Sequence, residues 1–191
     1  MPRQPRLVVV GYPYHIILRG NNRSAVFYND KDRCFFLACL KEAKEKTSSK
    51  IYAYCLMTNH VHLLVEPLTK EGLVEMMQSL GRKYEQYINQ TYKRTGILWE
   101  GRFKSSVISK DEYFLARCRY IELNPLRAKI AQNPADYPWS SFKLKTEGKN
   151  NNILDEDTFY LDLGDAQKQR QLSYRRLFLD NISEENLALF P

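Results

Sequence analysis

The segment that decides the fold is residues 51–66, which read IYAYCLMTNHVHLLVE. Residues 51–57 are rich in aromatic and β-branched side chains, which favour a β-strand. The next two residues, 58–59, are too few to do more than reverse the chain. Beyond them His60 and His62 stand two apart, and because alternate side chains of a strand point to the same face, both imidazoles are predicted on one face of the sheet. The segment therefore predicts a β-hairpin that presents two neighbouring imidazoles.

The surrounding sequence predicts a single α+β unit around this hairpin. Short polar residues at 29–32 can cap a helix, Ser109 and Glu112 stand in capping-box relation, and Pro125 disfavours helical geometry in the residue before it. Together with hydrophobic periodicity, these signals predict strands over 14–18 and 106–108, and helices from 29–32 to 44–46, over 72–92, and from about 110 to 123 or 124.

The composition is that of an ordinary globular protein with a sizeable core, since 43% of its 191 residues are hydrophobic. Lys and Arg number 29 against 22 Asp and Glu, so the formal net charge is +7. This excess favours partners with phosphate backbones or anionic surfaces. Thirteen tyrosines and nine phenylalanines further favour single-stranded nucleic acid, whose bases stack on aromatic rings.

Neither the cysteines nor the apolar segments indicate secretion or a membrane span. The four cysteines form no Cys-x-x-Cys pair, so we expect reduced thiols. The apolar run at 7–10 is too short for a signal peptide, and no stretch is long enough to cross a bilayer. We expect a cytoplasmic protein with no membrane partner and no small-molecule cofactor; the choice between monomer and homodimer stays open.

Two imidazoles make half of a metal site, because a catalytic divalent ion needs at least a third protein ligand and open positions. Tyr120 and Asn124 stand four apart in a predicted helix, so a phenol and an amide carbonyl share one helix face. Facing the histidines, they would complete a reaction centre. The structural alternatives are that Asn124 caps a new helix that starts with Pro125, and that Tyr120 is a core aromatic with its hydroxyl at the rim.

Three separated blocks, in this order, resemble the single-tyrosine HUH transposase superfamily and in particular its REP-associated tyrosine transposase branch. They are residues 19–23 (RGNNR), 53–66 (AYCLMTNHVHLLVE) and 120–125 (YIELNP). The stretch 137–141 (YPWSS) extends the resemblance, which covers about residues 14–142. The order of several blocks makes it far more specific than a histidine pair.

The resemblance implies a ferredoxin-like or RRM-like antiparallel sheet with packed helices, and a tyrosine that attacks a single-stranded DNA phosphodiester. The product would be a 5′-phosphotyrosine and a free 3′-hydroxyl. It implies that Tyr120 is the nucleophile and that His60, His62 and Asn124 bind the metal. Mg²⁺ or Mn²⁺ suits such a shell of imidazole, amide and water. It also implies a metal-dependent single-strand endonuclease and strand transferase acting near hairpin-containing repeats.

Basic and aromatic residues in two loops are candidates for contact with DNA. Phosphates would be bound by Arg19, Arg23, Arg102 and Lys104, and bases would stack on Trp99 and Phe103. Each has the alternative role of an ordinary surface charge or core aromatic. His15, on the first strand, is expected to be structural, with a role in shaping the site as the alternative.

Two other functions stay open at this point. A non-catalytic module could bind single-stranded nucleic acid through its aromatic residues and use the histidines only in packing. A metal-dependent phosphohydrolase would act without a covalent adduct. The composition changes beyond Trp139, so we expect a catalytic domain over 1–142 and a C-terminal extension over 143–191, mainly helical.

Overall fold

A computed structural model of the chain describes residues 7–109, 113–148 and 152–179. One antiparallel sheet lies at its centre, with strand order β2-β3-β1-β4. Its strands are β1 (Tyr14–Arg19), β2 (Ser49–Met57), β3 (His60–Pro67) and β4 (Lys104–Val107). Two helices alternate with these strands in the order β-α-β-β-α-β, which is the ferredoxin-like arrangement. The predicted α+β class and antiparallel sheet are confirmed, and β2 and β3 form the predicted hairpin.

Helices α1 (Asp30–Lys46) and α2 (Gly72–Thr91) cover one face of the sheet. Asn29 caps α1 in a reciprocal capping box with Asp32, so this helix starts where its capping residues predict. The core on this face is apolar and combines residues of β1 and β3 with both helices: Ile16, Leu18, Leu63, Val65, Phe36, Leu40, Met76, Leu80 and Tyr84.

The other face carries the remaining helices, α3 (Tyr113–Glu122), α4 (Asn124–Arg127), α5 (Phe142–Glu147), α6 (Thr158–Leu161) and α7 (Gln167–Leu179). Their apolar side chains form one cluster with β2 and β3 that includes Cys55, Leu64, Phe114, Cys118, Ile121, Tyr174 and Phe178. The predicted division after residue 142 does not coincide with a break in packing, because α5 begins at Phe142 and α7 shares the core. Two predictions lie outside the described residues: the capping role of Glu112, and the helical character of 180–191.

The two edges of the sheet differ in how they are covered. Along β2, the Leu56 N–H donates to the Trp139 carbonyl (2.9 Å), and the Asp155 N–H donates to the Ile51 carbonyl (2.8 Å). These contacts protect an edge that would otherwise offer unpaired backbone groups. The opposite edge, β4, has three exposed residues and one half-buried residue. The open part of the sheet therefore lies beside β1 and β4.

Among the residues that the structure describes, no helix has both the length and the apolar character needed to cross a membrane.

Candidate active site

The register of the sheet places the histidines beside basic residues. His62 of β3 lies opposite Ile17 of β1, which lies opposite Lys104 of β4. Two residues away on the same strands, His60 of β3 lies opposite Arg19 of β1. Because directly opposite residues share a face, both imidazoles, the guanidinium and the ammonium group occupy the face that carries α3.

The imidazole of His60 is held by an amide. Its Nδ1 lies 2.7 Å from Asn59 Oδ1, and Asn59 Nδ2 donates to the Arg23 carbonyl (2.9 Å). The second bond fixes the amide so that Oδ1 accepts the proton of His60 Nδ1. His60 Nε2 therefore keeps the lone pair that a metal ion would use. The turn at 20–23, which provides the Arg23 carbonyl, is tightly packed. A Cβ added to Gly20 would lie only 2.7 Å from Val26 Cγ1 and would also clash with the Ser24 carbonyl, so this turn requires glycine at position 20.

A third imidazole, that of His15, contacts the second predicted ligand. His15 Nε2 lies 2.9 Å from His62 Nδ1, and the two rings stack with centroids 5.2 Å apart. With the proton on His62 Nδ1, that residue donates to His15 and keeps a lone pair on Nε2. Metal-binding histidines commonly use the second nitrogen in this way. His15 therefore contacts a site residue, which fits the alternative role of shaping the site, and only the strand register could have revealed this.

All three histidines are neutral at physiological pH. Burial lowers the pKa of His15 to about 4, with a contribution from the positive charge of Arg117. Burial likewise lowers the pKa of His60 to about 4, with help from Arg19, and takes the pKa of His62 well below its usual range. Neutral imidazole is the form that binds a metal ion.

The structure brings Tyr120 to the histidines. Its ring centroid lies 6.2 Å from that of His62 and 5.6 Å from that of His15, with the rings close to perpendicular in both pairs. The rings of His60 and His62 are 4.9 Å apart. A phenol from α3 and two imidazoles from β3 thus share one site, although Tyr120 follows His62 by 58 residues and His60 by 60 residues in sequence.

Asn124 lies one turn beyond Tyr120 but does not cap the next helix. It is the first residue of α4, with Leu123 at the cap position. Its side-chain Nδ2 donates to the carbonyls of Tyr120 (2.9 Å) and Ile121 (3.1 Å), which are exposed at the end of α3. The carbonyl Oδ1 is then the atom of this side chain that could bind a metal.

A metal ion at this site would need a mixed set of ligands. Across the described residues, no group of three His, Cys, Asp or Glu side chains is placed to hold one ion. Two imidazole Nε2 atoms are available, and the remaining positions must come from an amide oxygen, water or substrate. This donor set suits a hexacoordinate ion with open positions.

Of the predicted DNA contacts, the basic residues lie on the surface and the aromatic residues do not. Arg19, Arg102 and Lys104 line a groove of about 280 Å³, and Arg23 is exposed in a 3-10 turn, Asn21–Arg23.

The predicted stacking surfaces are corrected by the structure. Trp99 and Phe103 are each only 7% exposed, and the Trp99 indole N–H donates to the Gly81 carbonyl of α2 (3.1 Å). The loop that carries both rings folds back over α2. Their position among basic residues in the sequence therefore did not predict that the rings are exposed.

The carboxylate of Glu122 connects α3 to the C-terminal helices. This side chain is fully buried at the last residue of α3. It accepts hydrogen bonds from Tyr174 Oη (2.9 Å) of α7 and from Ser141 Oγ (2.5 Å), and Lys145 Nζ of α5 lies 3.5 Å away. The helix that carries Tyr120 is therefore anchored by residues beyond 140.

Comparison with known proteins agrees with this geometry. A family model described as Transposase IS200 like matches residues 8–124, which is more than half of the chain. The chain belongs to this family of IS200-like transposases. The matched region of the transposase contains the whole sheet, Tyr120 and Asn124.

Two relatives of this transposase are informative. A Haemophilus influenzae protein named as a REP-associated tyrosine transposase is 24% identical over an alignment of 144 residues. The alignment covers 69% of this chain and 78% of that protein. The solved structure of a REP-associated tyrosine transposase bound to a REP hairpin matches with a TM-score of 0.60 at 16% identity. That match covers 82% of this chain and 93% of the other. The predicted resemblance is confirmed, and the structural match extends past the region of the family model.

Proposed function

We propose that this transposase is a metal-dependent single-strand DNA endonuclease and strand transferase that acts through a 5′-phosphotyrosine. The observation that carries the proposal is the contact of the Tyr120 ring with His62, whose own ring lies beside that of His60, in a chain of this family. A nucleophile and a pair of potential metal ligands on rigid elements are what a phosphoryl transfer site requires.

The reaction exchanges one phosphodiester for another. The bond between Tyr120 Oη and phosphorus forms, and the bond from phosphorus to the 3′ oxygen of the preceding nucleotide breaks. The phenol loses its proton and the departing 3′ oxygen gains one. Because the bond energy is kept in the phosphotyrosine, attack by another 3′-hydroxyl can rejoin a strand without ATP.

His60 and His62, each through Nε2, and Asn124 through Oδ1 would hold Mg²⁺ or Mn²⁺. Such an ion supplies positive charge to the non-bridging phosphate oxygens and fixes the line of attack. His15 and Asn59 hold the two imidazoles in the required orientation.

The DNA strand would reach the site along the groove formed by Arg19, Arg102 and Lys104. These side chains suit contact with the phosphate backbone, which positions a strand without reading its sequence. A hairpin next to the cleaved strand is proposed as the partner because the structural relative is bound to a REP hairpin.

A non-catalytic binding module stays the alternative function. The two rings predicted to stack on bases, Trp99 and Phe103, lie in the core, so such a module would have to use other aromatic residues.

Covalent capture tests the proposal directly. The probe is a pool of single-stranded oligonucleotides, each with one stem-loop and randomised flanks, labelled at either the 3′ or the 5′ end. With Mg²⁺ we expect a protein band that resists denaturation and carries the 3′ label only, because the phosphotyrosine holds the 3′ fragment. Binding without an adduct would indicate a binding module, and cleavage without an adduct would indicate a phosphohydrolase.

The metal prediction uses the variant His60→Ala. We expect adduct formation to fall about 100-fold or more, since Lewis-acid charge stabilisation is worth several kcal/mol. Chelation of the wild type by EDTA should cause a similar loss that Mn²⁺ restores, and EDTA should add little to the loss in the variant. Full activity of the wild type in EDTA would disprove metal dependence.

A further inference from the structure

Two arginine side chains converge on the ring of Tyr120. The guanidinium carbon of Arg127 lies 4.5 Å from the ring centroid, and that of Arg117 lies 5.2 Å from it. Arg117 precedes Tyr120 by one turn of α3, whereas Arg127 comes from α4. Two separate elements thus direct positive charge at the proposed nucleophile.

The ring that the two arginines approach also lies beside the histidines. Its centroid is 5.6 Å from that of His15 and 6.2 Å from that of His62. Both arginine side chains are half-buried. They therefore belong to the site that contains Tyr120 and are partly shielded from solvent, where a charge interacts more strongly than at the surface.

We propose that Arg117 and Arg127 are catalytic residues that bind the non-bridging oxygens of the phosphate attacked by Tyr120. This inference rests on the proposed function and assigns residues that the histidine pair and the tyrosine leave out. A phosphate in position for attack has its phosphorus about 3 Å from the phenolic oxygen. The two guanidinium carbons lie 4.5 and 5.2 Å from the centre of the ring that carries this oxygen, so the proposal requires the long arginine side chains to extend from there to the phosphate.

The chemistry of arginine fits this role better than that of a simple packing partner. A guanidinium is always charged and matches a phosphate with two parallel hydrogen bonds. Charge placed in advance where negative charge develops is a major source of catalysis.

The test compares natural DNA with DNA whose scissile phosphate, located by covalent capture, is replaced by a neutral methylphosphonate. On natural DNA, Arg127→Ala is expected to lower the single-turnover rate of adduct formation about 100-fold. On the methylphosphonate, wild type and variant are expected to differ by less than about threefold, because there is little charge left to neutralise. On natural DNA, the rate of Arg127→Lys should lie between those of the wild type and Arg127→Ala, since lysine keeps the charge but loses the paired hydrogen bonds.

The matched control is Arg33→Ala. Arg33 also lies near aromatic rings, at 5.5 Å from Phe27 and 5.6 Å from Trp139, but in a different part of the fold. Arg33→Ala should change stability without changing the ratio of the rate on natural DNA to the rate on the methylphosphonate. Arg117→Ala provides a second independent variant if Arg127→Ala does not fold.

The outcomes separate this inference from the proposed function. If the wild type forms no adduct, both fail. The arginine proposal alone is overturned if the wild type forms the adduct and the arginine variants form it at the wild-type rate. It is also overturned if the variants lose the same factor in rate on natural DNA and on the methylphosphonate.

Discussion

Replacement of Tyr120 by phenylalanine is expected to abolish formation of the covalent DNA adduct, with a loss of at least about 10⁴-fold, the scale seen when a catalytic nucleophile is removed. The change deletes one oxygen and keeps the ring, which packs against His15 and His62 and lies under two guanidiniums. Folding and hairpin binding should therefore remain near wild-type values. The measurements are single-turnover adduct formation on labelled hairpin DNA, equilibrium binding of the same DNA, and thermal unfolding.

Tyr113→Phe is the matched control for this experiment. Tyr113 lies at the start of the same helix and is 61% exposed, so loss of its hydroxyl should leave the adduct unchanged. Adduct formation by Tyr120→Phe at a rate close to wild type would disprove the assignment of the nucleophile.

Lys145→Met is expected to destabilise the fold by about 3–5 kcal/mol, because it leaves the carboxylate of Glu122 buried without its cation. Glu122 is fully buried and Lys145 is 9% exposed, so water cannot replace the lost partner. Tyr174 and Ser141 would still donate hydrogen bonds to the carboxylate, but neither supplies a charge. Denaturant unfolding monitored by circular dichroism measures the change in free energy.

Two further variants show whether the effect belongs to the ion pair. Lys143→Met, on the same helix at a half-buried position, should change stability by less than about 1 kcal/mol. The double variant Lys145→Met/Glu122→Gln removes the buried charge and should recover much of the loss. Equal stability of Lys145→Met and wild type would show that the C-terminal helices do not support α3 through this pair.

Much of the fold was predictable because its signals are local. The hairpin at 51–66 follows from residue type and a two-residue turn, and the start of α1 follows from the capping pair Asn29 and Asp32. Strand β4 begins two residues before its predicted position, at Lys104, where neighbouring glycines and aromatic residues obscure the alternation of a strand.

The differences between expectation and structure concern residues whose surroundings depend on distant parts of the chain. Trp99 and Phe103 lie among basic residues in the sequence, yet their loop packs on α2 and buries them. His15 has no local feature that distinguishes it from a structural histidine, and only the pairing of β1 with β3 brings it to His62. The division after residue 142 followed a change in composition, whereas the ion pair of Glu122 and Lys145 crosses it.

The sequence by itself determined the class of fold, the placement of two imidazoles on one face of a strand, and the spacing of one turn between Tyr120 and Asn124, although the structure divides these two residues between α3 and α4. These features follow from the periodicity of side-chain direction along a strand and along a helix, and a short segment is enough to specify it. Only the tertiary structure decided that α3 lies across β3, that His15 orients His62, and that Arg117 and Arg127 converge on Tyr120. Such contacts depend on strand register and on packing between segments far apart in sequence, and no local pattern encodes them.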